Sequence, residues 1–448
     1  MTLHELNEVE VSPPLSLHWQ GGSGYLHGIS TTKLILEGQI PKGTAGLSVQ
    51  CGGKQIPVDL SLASISPEGR RVKIEFPQSS SDLEALMALL RKEQHIDLCR
   101  KVDVEAETKR NGFESLYFKP SSLPNFDFHE IALETKFLDR KFSLPFLITG
   151  MTGGIMRGTE INRRLARTAA ELNIPMGVGS QRIALEHPEH ADVFNVKRHA
   201  PNLFLIGNLG ISQLLRSSLD DALRAVEMIQ ADALAIHINL VQEAIQPEGD
   251  RLLAGALNRI LEVKKRLGVP LIVKEVGSGL DPTTAKELIL GGVRALDVGG
   301  SGGTSWGWIE SLRGKSRLMK ELGHEFRDWG IPTANAVAAI RLMDANVELI
   351  ATGGMRGGMM AAKALALGAN MVGVGLPLFK AALESEASAI DLLNRWAESL
   401  SRVLWATNSK SILELRGKLS LGPPYANALA SLINQSPIDF PIMDPYER

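Results

Sequence analysis

From about residue 140 the chain alternates short apolar runs with stretches of helical periodicity, eight times over. The runs lie at 145–149, 174–178, 203–206, 233–238, 271–274, 295–298, 349–352 and 371–374. Most successive starts are roughly 25 to 35 residues apart, the length of one strand–helix unit. Between them Ile161, Leu165, Ala169 and Leu172 recur on one helical face. A doubly wound sheet needs only about five to seven strands, so eight units in a row predict an α/β chain closed as a (β/α)8 TIM barrel. The sixth interval is the longest. Its excess, residues 305–329, is expected as a loop over the barrel mouth.

Residues 1–88 have a different texture. Alternating runs at 33–36, 47–49, 56–60 and 72–76 are separated by turn residues such as Gly43, Gly52 and Gly53. Ser81-Asp82-Leu83-Glu84 then forms a capping box, opening a short helix with Leu83, Leu86, Met87 and Leu90 on its apolar face. The reading is a small, mostly-β accessory or assembly domain over 1–88 and a barrel domain over 89–448. In strand spacing and in its SPEGRRVKIEF hairpin the first segment loosely resembles the PilZ family of β-barrels. That family's arginine pair and Asn/Asp-x-Ser-x-x-Gly motif, which grip cyclic di-GMP, are not found here.

Composition excludes several classes. With 48 basic against 50 acidic residues the net charge is -2, which removes a global case for nucleic-acid binding. No apolar run approaches the roughly 18 residues of a membrane span. The acidic opening MTLHELNEVEVSPP has no secretory pattern, and Cys51 and Cys99 read as ordinary thiols, so a cytoplasmic location is expected. Glycine, at 43 residues, exceeds its usual share of about 7%.

A barrel enzyme builds its site at the C-terminal strand ends, and the glycines gather there. The first three ends carry Gly150-Met151-Thr152-Gly153-Gly154, Gly179-Ser180-Gln181-Arg182 and Gly207-Asn208. His237-Ile238-Asn239 with Gln242-Glu243, and Lys274-Glu275, follow. Gly299 to Thr304, Gly353-Gly354-Met355-Arg356 and Gly375-Leu376 complete the rim. Any one turn uses glycine anyway; together these ends favour a large planar or phosphorylated ligand. The loops after strands seven and eight suit a phosphate, with Arg356 as counter-charge. Lys274 is costly on an apolar strand without an anionic partner. Its alternative, a pair with Glu275, is disfavoured because adjacent strand residues point to opposite faces. Glu243 suits a hard cation such as Mg²⁺ or, equally, a solvated helix start. On local grounds Arg91-Lys92 with His95 read as cations complementing the end of the short helix.

The motifs together resemble type 2 isopentenyl diphosphate isomerase, the flavin-dependent form. The resemblance covers about residues 90–400: Arg91-Lys92-x-x-His95, NGFESLYF, ITGMTGG, GVGSQR, GNLG, HINLVQE, VKEVGSG, DVGGSGGTSW and ATGGMRGG. The N-terminal extension departs from the family, which normally begins near its Arg-Lys pair on a mobile arm. The resemblance implies interconversion of isopentenyl and dimethylallyl diphosphate by a 1,3-allylic proton shift. It implies FMN, active when reduced by NADPH or another donor and carrying the acid–base work, together with Mg²⁺. It places Met151, Thr152, Gly153, Ser180 and Asn208 along the flavin, Lys274 at its N1/O2 side and Thr304 near the phosphate. Gly353, Gly354, Arg356, Gly375 and Leu376 would hold the phosphate. Arg91, Lys92, His95, Arg182 and His237 would clamp the diphosphate, with Asn239 nearby, Gln242 on the substrate and Glu243 on Mg²⁺. Gln242, His237 and Asn239 are thereby the catalytic candidates. A homo-oligomer, tetramer or octamer, is implied too.

The nearest rival is an FMN oxidoreductase of the hydroxy-acid oxidase type. It needs a His/Arg pair late in the barrel, and the loop after strand seven has no histidine. An IMP-dehydrogenase-like enzyme needs a loop cysteine after strand six, which is missing. A silent flavoprotein scaffold predicts a disabled rim, whereas every expected polar position is filled.

Overall fold

A computed structural model describes residues 9–432, apart from 21, 31–32, 39, 42–43, 52–53, 61–62, 69–70, 77–80, 152–155, 247–248 and 315. The first unit is a seven-stranded antiparallel sheet. Its strands are β1 (Val9–Trp19), β2 (Gly22–Ser30), β3 (Lys33–Glu37), β4 (Gly46–Cys51), β5 (Lys54–Asp59), β6 (Ser64–Glu68) and β7 (Arg71–Glu75), in the order β5-β4-β1-β2-β3-β7-β6. The SPEGRRVKIEF hairpin is present, with Glu68 opposite Arg71. Two strands had no legible pattern. In β1, Pro13 and Pro14 fall where the register with β2 shifts, between Glu10 and Leu15. In β2 the glycines dilute the alternation; a Cβ on Gly24 would lie 2.2 Å from the Glu37 carbonyl oxygen and 2.9 Å from the Trp19 indole. The sheet is open, with β5 and β6 at its edges, and so departs from the closed β-barrel of the PilZ resemblance.

Helix α1 (Ser81–Lys101) starts at the residue expected, but it is not short. It runs 21 residues, through the 88/89 boundary, and places Arg91, Lys92 and His95 along its length rather than at its end. Its interior contains no Gly or Pro to stop it earlier. The side chains of Ser81, Asp82 and Glu84 lie outside the described residues.

The barrel closes as the eight apolar runs predict. Its strands are Phe146–Ile148, Met176–Gly177, Leu205–Gly210, Ala233–Ile238, Leu271–Glu275, Ala295–Asp297, Glu348–Ala351 and Met371–Val374. All neighbours are parallel, and the eighth pairs with the first at Ile148–Val374. The floor is plugged by a two-stranded hairpin, Thr135–Phe137 and Arg140–Phe142. Phe137 and Phe142, at 0% and 1% exposure, join Leu147, Ile206, Ile272 and Ile350 from the barrel interior in one apolar cluster. Each buried ring of that kind stabilises the fold by about 1.5–3 kcal/mol. With this end filled, the open end is the C-terminal rim.

The segment 305–329 is not a loop. It forms two helices, Trp306–Arg313 and Arg317–Glu325, the first capped by Ser305, whose hydroxyl accepts from the Trp308 backbone N–H. The helix after strand four, Leu240–Ile245, packs on the first of these. No described helix is long and apolar enough to cross a membrane.

Candidate active site

A cavity of about 610 Å³ opens at the C-terminal rim and takes α1 as part of its wall. Three ionisable residues stand side by side on neighbouring strands, His237 opposite Lys274 and Lys274 opposite Asp297, and the first two line the cavity. Parallel pairing in register makes them point the same way. The amide nitrogen of Asn208 donates to the Val178 carbonyl at 2.9 Å, and its Oδ1 lies 2.8 Å from His237 Nδ1. Since Oδ1 can only accept, Nδ1 carries the proton and the lone pair of Nε2 is the free one. Desolvation, then Lys274 and Arg91, lower the His237 pKa to about 3, so the ring is neutral at physiological pH. Gly210, beside it, has no side chain; a Cβ there would sit 3.0 Å from Nε2.

Lys274 does not pair with the Glu275 carboxylate. Its Nζ meets the Glu275 backbone carbonyl at 3.3 Å, while the Glu275 side chain accepts from the N–H groups of Gly277, Ser278 and Gly279. Burial still lifts Glu275 to about 7, against those donors. The acidic neighbour facing Lys274 is Asp297, which is 2% exposed; burial raises its pKa and Lys274 opposes the shift.

The loops after strands six and seven form the backbone end of the cavity. Gly353 and Gly354 have φ of +118° and +67°. A Cβ on Gly353 would lie 2.1 Å from the Gly300 carbonyl oxygen, and one on Gly354 2.3 Å from that of Gly302. Much of the glycine here therefore lets two loops pack backbone to backbone, as well as clearing space for a ligand. The helices Gly358–Ala366 and Leu376–Glu384 start beside these loops, and neither has a side-chain cap. Their N-termini, with Thr304, Gly375 and Leu376 along the same wall, suit a phosphate group. This cradle fits FMN. Arg356 lies here, with a partner sequence reading missed: Glu105, in a strap that pairs with Thr304, forms an ion pair with it. Met151 and Ser180 line the cavity, and Thr152 and Gly153 lie outside the described residues.

The opposite end is built from side chains. Arg91, Lys92 and His95 reach it from α1, and Arg182 from the start of the short helix Arg182–Glu186 after strand two. Lys92 Nζ lies 3.4 Å from the Ser180 carbonyl; desolvation, followed by Arg91 and Arg182, brings its pKa to about 7, with Glu186 opposing. Arg182 is paired with Glu186 at 2.9 Å. Glu310, wholly buried in the helix after Ser305, accepts from Gln242 Nε2 at 2.7 Å, lies 2.9 Å from His95 Nε2 and pairs with Arg313. Burial would raise its pKa, but Arg313 and then His95 outweigh it and hold the carboxyl well below its usual range. Burial lowers His95, with Glu310 opposing. Trp306 meets the His95 ring edge-on at 5.2 Å.

Glu243 accepts from Asn239 Nδ2 at 2.9 Å and from the Asp250 N–H at 2.7 Å. Among the described residues no group of three or more His, Cys, Asp or Glu is placed to hold a metal. A hard cation on Glu243 would take its remaining ligands from water and substrate oxygens, which fits Mg²⁺.

Comparison with known proteins agrees with this geometry. The isopentenyl-diphosphate delta-isomerase of Pyrococcus horikoshii is 44% identical over 339 residues, covering 74% of this chain and 91% of the relative. That of Nostoc sp. is 41% identical over 346 residues, covering 77% and 98%. The chain belongs to the type 2 isopentenyl-diphosphate isomerase family. Residues 248–420 also match the FMN-dependent dehydrogenase family, to which the type 2 isomerases are related. Solved structures share the fold: a flavocytochrome b2 mutant (TM-score 0.54, 19% identity, 82% of this chain and 91% of that one) and a mandelate oxidase mutant with an FMN adduct (0.51, 18%, 73% and 95%). Roughly a quarter of this chain has no counterpart in the Nostoc isomerase. Sequence reading missed Glu310, Asp297 and Glu105 as parts of the site. A signal existed for the first: Glu310 and Arg313 stand three apart, the spacing of a helical ion pair.

Proposed function

We propose that this chain interconverts isopentenyl and dimethylallyl diphosphate by a 1,3-allylic proton shift. Reduced FMN on the backbone cradle, with NADPH as reductant, would supply the acid–base chemistry, since no ordinary side chain is well matched by pKa to an unactivated alkene. Gly353, Gly354, Gly375, Leu376 and Thr304 would hold its phosphate with Arg356. Met151, Thr152, Gly153, Ser180, Asn208 and Lys274 would contact the rest, Lys274 placing a positive charge beside the ring. Arg91, Lys92, His95 and Arg182 would bind the diphosphate, and Glu243 would hold Mg²⁺, which would supply further positive charge to that group. His237, neutral and fixed by Asn208, has only a lone pair at Nε2, so it would accept a hydrogen bond there rather than clamp a diphosphate oxygen as the resemblance implied, and Asn239 holds Glu243. Gln242, oriented by Glu310, faces the allylic group. α1 and the helix bearing Trp306 exclude water from above.

The observation that carries this reading is the cluster of cations on α1 above a rim whose other end is a phosphate cradle. Residues 1–88 are an accessory module to the barrel of 89–448; the enzyme is cytoplasmic and works as a tetramer or octamer. The test is anaerobic incubation with FMN, Mg²⁺, NADPH and isopentenyl diphosphate, followed for dimethylallyl diphosphate. Flavin reduction by a 2-hydroxy acid, with no allylic product, would replace this reading with the oxidase.

A further inference from the structure

Helix α1 carries two different stripes. Leu83, Leu86, Met87 and Leu90 are all buried and share one face. That face packs on β2, β4 and β5, whose Leu26, Leu47, Val49 and Val58 are buried as well. Ala88, Arg91, Lys92, His95, Ile96 and Cys99 recur along another face and line the barrel cavity, which Met87 also borders. At about 100° per residue the two stripes are centred roughly 140° apart around one cylinder. No Gly or Pro interrupts the 21 residues that carry both, so nothing in the helix offers a hinge.

The barrel's own contacts with the cationic stripe include polar and ring contacts: Lys92 to the Ser180 carbonyl and over the Phe194 ring, His95 to Glu310 and edge-on to Trp306, and Gln94 to Arg313 at 3.0 Å. Against them stand the burial of Lys92 and then the crowding of Arg91 and Arg182 beside it, which together lower the Lys92 pKa while Glu186 opposes the shift. Like charges this close, offset only in part by Glu186, oppose docking of the helix. The apolar stripe has no such dependence. Burial against the sheet acts whether or not the cavity holds a ligand.

We infer that the N-terminal sheet is a brace that holds the cationic face of α1 against the barrel mouth before substrate binds, so that the diphosphate meets a preformed site. The inference rests on the reading of that face as the diphosphate clamp. It moves the ordering of the clamp from the binding step to the folding of the chain, which strengthens binding without touching the chemistry. The brace should therefore act on KM and leave kcat alone.

Hydrogen exchange on the full-length FMN- and Mg²⁺-loaded protein tests this, with inorganic diphosphate as the probe. Amides of residues 91–99 should be protected in the free enzyme like those of the barrel helix Thr333–Met343, and should gain less than about threefold on adding diphosphate. Rapid exchange in the free enzyme, with about 100-fold protection gained on binding, overturns the brace. Calorimetric titration with the same probe separates the two levels. Absence of binding rejects the clamp itself, whereas binding to an enzyme whose α1 is unprotected rejects only the brace.

A variant gives the kinetic arm. Leu86→Ala removes apolar volume from the sheet-facing stripe without entering the cavity. It should raise KM for isopentenyl diphosphate about tenfold, with kcat and FMN affinity within about twofold of the parent. Leu86→Met, which keeps the volume, should restore KM. A parental KM in a folded Leu86→Ala protein overturns the inference. Should that variant not fold, exchange on the unaltered chain decides alone.

Discussion

The two ends of the cavity are made from different parts of the polypeptide. Where the FMN phosphate is proposed to sit, the wall is backbone: glycine loops and uncapped helix N-termini. Where the diphosphate is proposed to sit, it is side chain: Arg91, Lys92, His95 and the buried Glu310. Backbone dipoles do not titrate, so the first end is indifferent to pH but intolerant of a single added carbon. The second end tolerates changes of size and is exposed to every shift in protonation.

The sharpest way to break that contrast is Gly354→Ala. Its Cβ would lie 2.3 Å from the Gly302 carbonyl oxygen at a φ of +67°, so FMN affinity should fall by more than about 100-fold, read by flavin fluorescence. A flavin-replete alanine variant would show that the loops can part. Glu243→Gln is the converse. It should lower Mg²⁺-dependent turnover about 100-fold while the purified protein stays yellow. Loss of flavin instead would place Glu243 at the wrong end.

Protonation gives a smaller effect. In the empty cavity Lys92 titrates at about 7, and a bound diphosphate stabilises the ammonium form. Below that pH the cation is already present and affinity is level. Above it, binding must take up a proton, so affinity should fall by up to about tenfold per pH unit until the bound-state pKa is reached. FMN affinity should show no such slope. Calorimetry of both ligands from pH 6 to 9 would settle it, and parallel slopes would erase the distinction between the ends. The smallest effect concerns Glu105, the one carboxylate noted at the backbone end. Its ion pair with Arg356 is partly exposed, so Glu105→Gln should tighten FMN binding by only about two- to fivefold, and less in high salt.

The barrel was legible because its strands are short, apolar and evenly spaced, a pattern that depends on local burial alone. The rim was legible for a related reason: glycine at successive strand ends has few structural substitutes. The departures have identifiable causes. β1 and β2 were hidden because Pro13-Pro14 and three glycines erase alternation, although the strands pair on both sides. Arg91 and Lys92 looked like a helix end because the apolar stripe stops at Leu90; the helix continues because its next face is covered by the barrel rather than by the sheet. Glu310 looks like any charged residue on a solvated stretch. Only the tertiary fold, which leaves it at 0% exposure between Arg313, His95 and Gln242, gives that carboxylate its meaning.

The unbroken course of α1 has a consequence for how such chains can be rearranged. One residue inserted between Leu90 and Arg91 would turn everything downstream by about 100° relative to the sheet. Seven would restore the angle to within about 20°, yet carry the cations roughly 10 Å along the axis. What the two halves of this protein share at their junction is therefore a rotational phase. A foreign N-terminal module spliced on at this point has to arrive in step, whatever its sequence or size.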